Sequence, residues 1–426
     1  MPAARSSRLL RRGGFTSACA AALLAFAGAS PAATTTLPEV QVTKSAIPDY
    51  EFDSARNGKL CSSCNGGLGN ALFAFTAADG QLWLGNIDFQ TGAFYPPDGH
   101  GVLVDTDTAP VADFGNGPEW MSGAAGSRIV YTRYQSGVAH SEATAQIGIA
   151  TLVNGSWSTA VLPNSAGRAT PDGSKDDSDT DPRVNYISAD KSALFWRRMS
   201  NAGTEVAMPI SDLTGGNSRR WVPGTRTIIF QGHNPADPQL VDQVYTYDTD
   251  SGAVEQLTFD TVGKYGAFMW KAPEYNNEYL FFTMADFRRK ILVYRKIAGT
   301  DGVKRWTVIK TITPPTQLPY FWSPEVFSHN GRSYIFTVVS PSNKFWDKSY
   351  PTHLAISGID PLKQNFKMLT NDTTKPRVRL DPEYFITAKG PFIYYNRMVP
   401  VTDTYPDGVN DGVWYVDTGL GAPLSK

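Results

Sequence analysis

The chain has 426 residues, and its 39 Lys+Arg against 40 Asp+Glu leave a formal net charge of −1. This balance excludes a general nucleic-acid binder, which carries a basic excess. Only 19% of residues are charged, 12% are aromatic, and there are 38 Gly and 29 Pro, the composition of short strands separated by many tight turns.

In chain order, Arg5, Arg8, Arg11 and Arg12 come first, then an apolar run from Phe15 to Ala27, then small residues around Ser30 and Ala32. That is the order of a secretory signal peptide cleaved near Ala32. Residues 1–32 are therefore read as a signal and the mature protein as exported, periplasmic or extracellular. The run is too short to cross a bilayer, and no later stretch is apolar enough to do so. The Arg11-Arg12 pair leaves general and twin-arginine export both open.

Residues 33–70 read as an irregular leader containing Cys61 and Cys64. Outside the cytoplasm, this Cys-Ser-Ser-Cys pair is expected to close a local disulfide. Asn65 stands where haem attachment needs His, and no second Cys pair completes a zinc site.

From residue 71 a repeat dominates. An apolar or aromatic lead runs into Pro-Glu, then a turn, then a strand rich in Tyr and Phe. The instances are Gly117-Pro118-Glu119-Trp120, Ala272-Pro273-Glu274-Tyr275, Ser323-Pro324-Glu325-Val326 and Asp381-Pro382-Glu383-Tyr384; Asp181-Pro182-Arg183-Val184 is a fifth with Arg for Glu. Units start near residues 71, 118, 182, 223, 273, 324 and 382. A period of roughly 40–60 residues with three or four strands each marks propeller blades. The chain is thus expected to be all-β, residues 71–426 forming one β-propeller of antiparallel three- to four-stranded blades. Seven units give seven blades, or six if the first and last share one by pairing N- and C-terminal strands. Pro suits an innermost strand that needs no ladder donor, so the recurring Glu has a structural reading, binding amides between neighbouring blades, beside a catalytic one.

Val244-Tyr-Thr-Tyr-Asp248 with Glu255-Gln-Leu-Thr258, and Gly117 to Trp120 with Arg128-Ile-Val-Tyr131, resemble the TolB-like propeller repeat over about half of the mature chain. Asp381-Pro382-Glu383-Tyr384, Trp322 to Phe327 and Asp181-Pro182 resemble inner-strand motifs of arabinan- and xylan-cleaving propeller glycosidases. That second resemblance implies acids around a central funnel. Asp181 and Asp381 match its Asp-Pro motif as base or pKa tuner, and Glu274 and Glu325 are the candidate acids. Lys271 stands where its acid motif carries Glu.

Trp270, Trp322, Trp346 and Tyr350 fall at expected strand ends or loops, where rings stack on sugar faces. His233, in Gln231-Gly-His-Asn-Pro235, directly follows a strand and is a candidate for the funnel, with a metal-assisted lyase as one reading. No cofactor is required; calcium is the metal the acids at Asp172, Asp176, Asp177, Asp179 and Asp181 would favour. No serine-hydrolase elbow, phosphate loop or zincin motif occurs. The expected function is engagement of a carbohydrate polymer at the funnel, as hydrolase or lyase. The alternative is a non-enzymatic TolB-like scaffold for an envelope protein partner.

Overall fold

Runs of Tyr, Phe, Val and Ile broken by turns such as Asp79-Gly80 and Asn330-Gly331 build antiparallel ladders, because Gly accepts the positive φ these turns need. A computed structural model describes residues 37–53, 71–209, 219–232, 241–344, 347–363, 365–372 and 374–424. The signal segment, Cys61, Cys64, His233 and Trp346 lie outside the described residues.

Part of the segment read as a leader is strand: β1 (Glu39–Gln41) and β2 (Glu51–Phe52). Blade I is β2, β3 (Leu72–Thr76), β4 (Leu82–Ile87) and β5 (Phe94–Tyr95), with β6 (Val102–Asp105) also paired to β4. Blade II is β7 (Glu119–Met121), β8 (Arg128–Tyr134), β9 (Ala145–Val153) and β10 (Ser156–Val161). Blade III is β11 (Arg168–Gly173), β12 (Arg183–Ser188), β13 (Leu194–Arg198) and β14 (Val206–Ala207). Blade IV is β15 (Arg220–Trp221), β16 (Thr227–Gly232), β17 (Gln243–Asp248) and β18 (Val254–Gln256). Blade V is β19 (Lys264–Ala272), β20 (Glu278–Ala285), β21 (Lys290–Ala298) and β22 (Lys304–Ile312). Blade VI is β23 (Tyr320–His329), β24 (Arg332–Ser340), β25 (His353–Gly358) and β26 (Phe366–Met368). Blade VII is β27 (Val378–Thr387), β28 (Gly390–Val399), β29 (Val409–Asp417) and, from the other end of the chain, β1.

The fold is therefore a seven-bladed propeller of four-stranded sheets. The N- and C-terminal strands do share a blade, but β2 starts a further one, so the count stays at seven. First strands of neighbouring blades touch one another, β2 with β7 and β27, β7 with β11, and β19 with β23, so they ring the axis. Each blade junction buries its own apolar cluster: Leu84 and Ala74 against Trp120 and Tyr131 between blades I and II, and Trp270 and Phe282 against Phe321 and Ile335 between V and VI.

Closure rests on β1. Val40 pairs with Tyr415 across the β1–β29 ladder. The Glu39 carboxylate accepts from Arg379 Nη2 at 2.5 Å and Nε at 3.0 Å, and from the Tyr395 hydroxyl. Arg379 is wholly buried. Burial opposes the charge on Glu39, but Arg379 and the Tyr395 hydroxyl outweigh it and hold its pKa below the usual glutamate value.

Glu39→Ala strands a buried guanidinium, so a loss of about 3–5 kcal/mol is expected in urea unfolding. Because the native pKa is depressed, the stabilisation is complete above the ordinary glutamate range and disappears as pH falls through the lower native value. The variant should consequently lose less stability than the parent on acidification.

Candidate functional site

The inner strands share a local device. In β11, β23 and β27 a β-bulge sets two residues against one: Ala169 and Asp172 pair with Ile187 and Asn185, Trp322 and Glu325 with Val338 and Phe336, Leu380 and Glu383 with Asn396 and Tyr394. The first bulged residue is left-handed each time, with φ of 48° at Thr170, 42° at Ser323 and 50° at Asp381, and Pro follows it. The acid next in sequence resumes the ladder. The triplets are Thr170-Pro171-Asp172, Ser323-Pro324-Glu325 and Asp381-Pro382-Glu383. In blade I, Asp49 (φ 46°) and Tyr50 precede Glu51, and in blade II Gly117-Pro118 precede Glu119. Blade V keeps the bulge at Gly266 (φ 56°) but places Phe268 two residues on, and blade IV supplies Arg220. Arg220 lies over the Phe268 ring at 5.4 Å, as neighbours around a ring should.

The result is a layer around the channel of Glu51, Glu119, Asp172, Arg220, Phe268, Glu325 and Glu383. Lys175, from the loop after β11, reaches into it and donates to Glu119 Oε2 at 3.2 Å, with Glu51 Oε1 at 3.9 Å. Burial works against the Lys175 charge, but Glu119, Glu51 and Asp172 more than offset it and raise its pKa. Asp172 accepts from the Trp221 amide at 3.2 Å.

Crowding of carboxyls dominates the electrostatics. Glu325 is pushed up to about 7, chiefly by burial, against the pull of Arg220. Burial and the neighbouring Asp381 raise Asp49 to about 7. Burial and Glu119 raise Glu51; burial and Glu325 raise Glu383. Asp381 keeps an exposed surface, yet the protein packed around it raises its pKa, while Lys348 opposes the rise. The site thus holds carboxyls that keep protons near neutrality beside Glu119, which is ion-paired to Lys175.

Of the described residues marked by sequence, the channel gathers Asp381 and Glu325, while Asp181, Glu274, Trp270 and Trp322 lie elsewhere. Glu274 follows β19 at its far end and accepts from the Ser333 amide at 2.8 Å and hydroxyl at 2.9 Å, clamping blade V to blade VI. That is the amide-binding role of the structural reading. The cavity beside it, lined by Tyr275, Arg332 and Asp360, holds no ring acid. Asp181 sits in the β11–β12 loop, accepting from the Ser200 amide at 2.9 Å with Arg198 at 3.9 Å. Arg183 reaches from blade III to Asp250 at 2.6 Å and to Thr249 in blade IV. Pro182 and Pro273 therefore lie one strand out of register with the bulge prolines; the true counterparts are Pro171 and the Gly266 bulge. Trp270 and Trp322 are 5% and 3% exposed, packed between blades, and leave no ring face open for a sugar. Tyr350 is exposed, on the same β24–β25 segment as Lys348.

Among the described residues, no three His, Cys, Asp or Glu side chains converge as a metal-binding set. The acidic run after Asp172 disperses: Asp176 binds Ser178, and Asp179 pairs with Arg226 at 2.8 Å. His329 and His353 are buried, and burial lowers both pKa values. Sequence reasoning missed Glu51, Glu119, Asp172, Lys175, Arg220 and Glu383 as site residues. The signal for Asp172 was Thr-Pro-Asp itself, a residue–Pro–acid triplet like the others.

Two consequences are measurable. Ser323→Val places a β-branched residue at positive φ and should lose about 1–3 kcal/mol, whereas Ser323→Gly relieves the strain and should leave Tm unchanged or higher. For ring carboxyls raised in the native state, the native protein binds more protons than the unfolded chain between the ordinary carboxyl range and about 7. Stability therefore falls as pH rises through that window, and Glu325→Gln should flatten the Tm–pH curve there.

No family model matches the chain, and no curated protein does. Solved structures give a distant likeness. TolB from Acinetobacter baumannii is 14% identical, covering 82% of this chain and 79% of that one, with a TM-score of 0.37. A protein described provisionally as a 6-phosphogluconolactonase, from Bacteroides uniformis, is 12% identical over 83% of this chain and 96% of that one, TM-score 0.43. A prolyl endopeptidase is 10% identical over 83% of this chain and 49% of that one, TM-score 0.45. The likeness is to TolB-like, lactonase-like and prolyl endopeptidase-type propellers, and it is one of fold.

Proposed function

We propose that this chain is an exported propeller that engages a carbohydrate polymer in its central channel, with hydrolysis as the chemistry the acids favour. One observation carries the reading: Glu325 and Asp381 converge on the channel with Glu119, Glu383 and Glu51, where burial raises the Glu325, Asp381, Glu383 and Glu51 carboxyls while Glu119 ion-pairs with Lys175. Glycoside cleavage needs a carboxyl that still holds its proton at working pH, to protonate the leaving oxygen, beside one that is ionised. Glu325 suits the first role. Glu119, paired with Lys175, suits the second. Bulge acids and their Arg220 and Lys175 partners also offer the dense donors and acceptors that sugar hydroxyls require. Tyr350 adds an exposed ring on the segment that carries Lys348.

A second reading, a TolB-like scaffold for an envelope protein partner, draws on the same channel: its acids outnumber the ring cations Lys175 and Arg220, a complement to a basic segment.

A thermal-shift screen of the mature protein against plant and microbial polysaccharide fragments, with and without calcium, is the direct test, since a ligand that binds only the folded state raises Tm by mass action. A shift with one glycan class is expected, with product release on that glycan reduced about 10²-fold or more in Glu325→Gln. Absence of any shift and of any product would overturn the carbohydrate reading, and a co-purifying envelope protein would establish the scaffold.

A further inference from the structure

Lys175 shows what a gap between two channel acids takes. Its ammonium sits between acids of neighbouring blades, 3.2 Å from Glu119 Oε2 and 3.9 Å from Glu51 Oε1. The first strand of blade I touches that of blade II on one side and that of blade VII on the other. Rotation about the propeller axis therefore carries the Glu51–Glu119 gap onto the gap between Glu383 and Glu51. Among the described residues, no lysine or arginine pairs with Glu383, and its carboxylate accepts no hydrogen bond. The four charged groups that act on it most are Glu325, Glu51, Asp49 and Glu119, all of them acids.

A second observation marks the same gap. Tyr50 immediately precedes Glu51 and is 1% exposed, yet its hydroxyl has no hydrogen-bond partner. The charges that act on this hydroxyl most are those of Glu383 and Asp381. Its ring is fixed edge-on against Phe52 and Phe94, with centroids at 5.7 Å and 6.2 Å, so the hydroxyl is held where it stands. A buried polar atom left without a partner is costly, and a ligand group at this gap removes that cost. Two carboxylates and a hydroxyl offer three acceptors, and an ammonium group offers three N–H donors and no acceptor. A metal ion is a poorer match, because among the described residues no three His, Cys, Asp or Glu side chains converge on one point.

We propose that the sugar unit seated beside Glu325 carries an unsubstituted amino group, its ammonium bound between Glu383 and Glu51 with the Tyr50 hydroxyl, so that the polymer is an amino-sugar glycan. This assignment, which rests on the carbohydrate reading of the channel, narrows that reading to a cationic substrate class. An acetylated amino group has lost the charge and two of the three donors, and is disfavoured at a gap lined by acids. Glu325 stays free for the proton transfer assigned to it.

The test is titration calorimetry of the mature protein with hexasaccharides of glucosamine, N-acetylglucosamine and glucose, all with the same linkage. The glucosamine hexasaccharide should bind about tenfold or more tightly than either of the others. Glu383→Gln keeps the shape of the side chain and breaks no hydrogen bond among the described residues, so Tm should stay unchanged or rise. In that variant the preference for glucosamine should disappear. Binding of neutral glycans alone, or as tightly as the glucosamine hexasaccharide, overturns the amino-sugar assignment and leaves the carbohydrate reading standing. Absence of binding by every glycan overturns both. A glucosamine preference that survives in Glu383→Gln also overturns the assignment, because the charge is then read elsewhere. So does tighter binding of oligolysine than of the glucosamine hexasaccharide, which gives the gap to a basic protein segment.

Discussion

Seven inner strands present an unpaired edge to the channel, and that free edge is the constraint from which the rest of the architecture follows. An open edge invites further strand pairing, and proteins blunt it with proline, bulges and charge. Here all three are combined in one triplet: a left-handed residue bends the strand, proline removes a donor, and an acid resumes the ladder facing the axis. What begins as edge protection in three blades thereby helps line a channel that gathers acids from five. Architecture and candidate chemistry are carried by the same residues, so the choice between a structural and a functional reading of Pro-Glu dissolves at Glu119, Glu325 and Glu383. At Glu274 it resolves to structure, because that residue sits at the far end of β19 against Ser333.

So many carboxyls in one layer, and left-handed backbone at Thr170, Ser323 and Asp381, are tolerable only where the surroundings over-determine the conformation. Apolar clusters at the blade junctions provide that, as do polar clamps between blades, Arg183 to Asp250 and Glu274 to Ser333, and an ion pair within the last blade, Arg379 to Glu39. The last is the most consequential, since β1 comes from the other end of the chain and turns an open row of sheets into a closed ring. Within that ring Lys175 and Arg220 offset part of the acid charge, and burial drives the remaining carboxyls toward their protonated forms. The polarity of the channel is thus set by proton uptake as much as by sequence charge.

The propeller itself was legible in the sequence because blades repeat, and a repeat shows without knowledge of contacts. Asp381 and Glu325 were legible as channel acids because Pro precedes or follows them in a strand of fitting pattern. Asp172 was hidden because Asp181-Pro182, nine residues later, offered a better match by eye, although its proline opens the second strand of the blade. Trp270 and Trp322 looked like ligand platforms because strand ends near loops are often open, yet neighbouring blades cover both rings.

By itself the sequence determined an all-β chain of repeated units of three or four strands, rich in turn residues, with acids placed regularly along it. Those properties follow from local backbone preference and side-chain alternation, which act between residues near in the chain. Tertiary structure alone decided that there are seven blades, that β1 closes the last of them, and which acids share the channel. Each depends on pairing between segments remote in sequence: Glu39 lies 340 residues from Arg379, and Glu119 meets Lys175 from the next blade. No local pattern encodes such a meeting, because it exists only once the ring has closed.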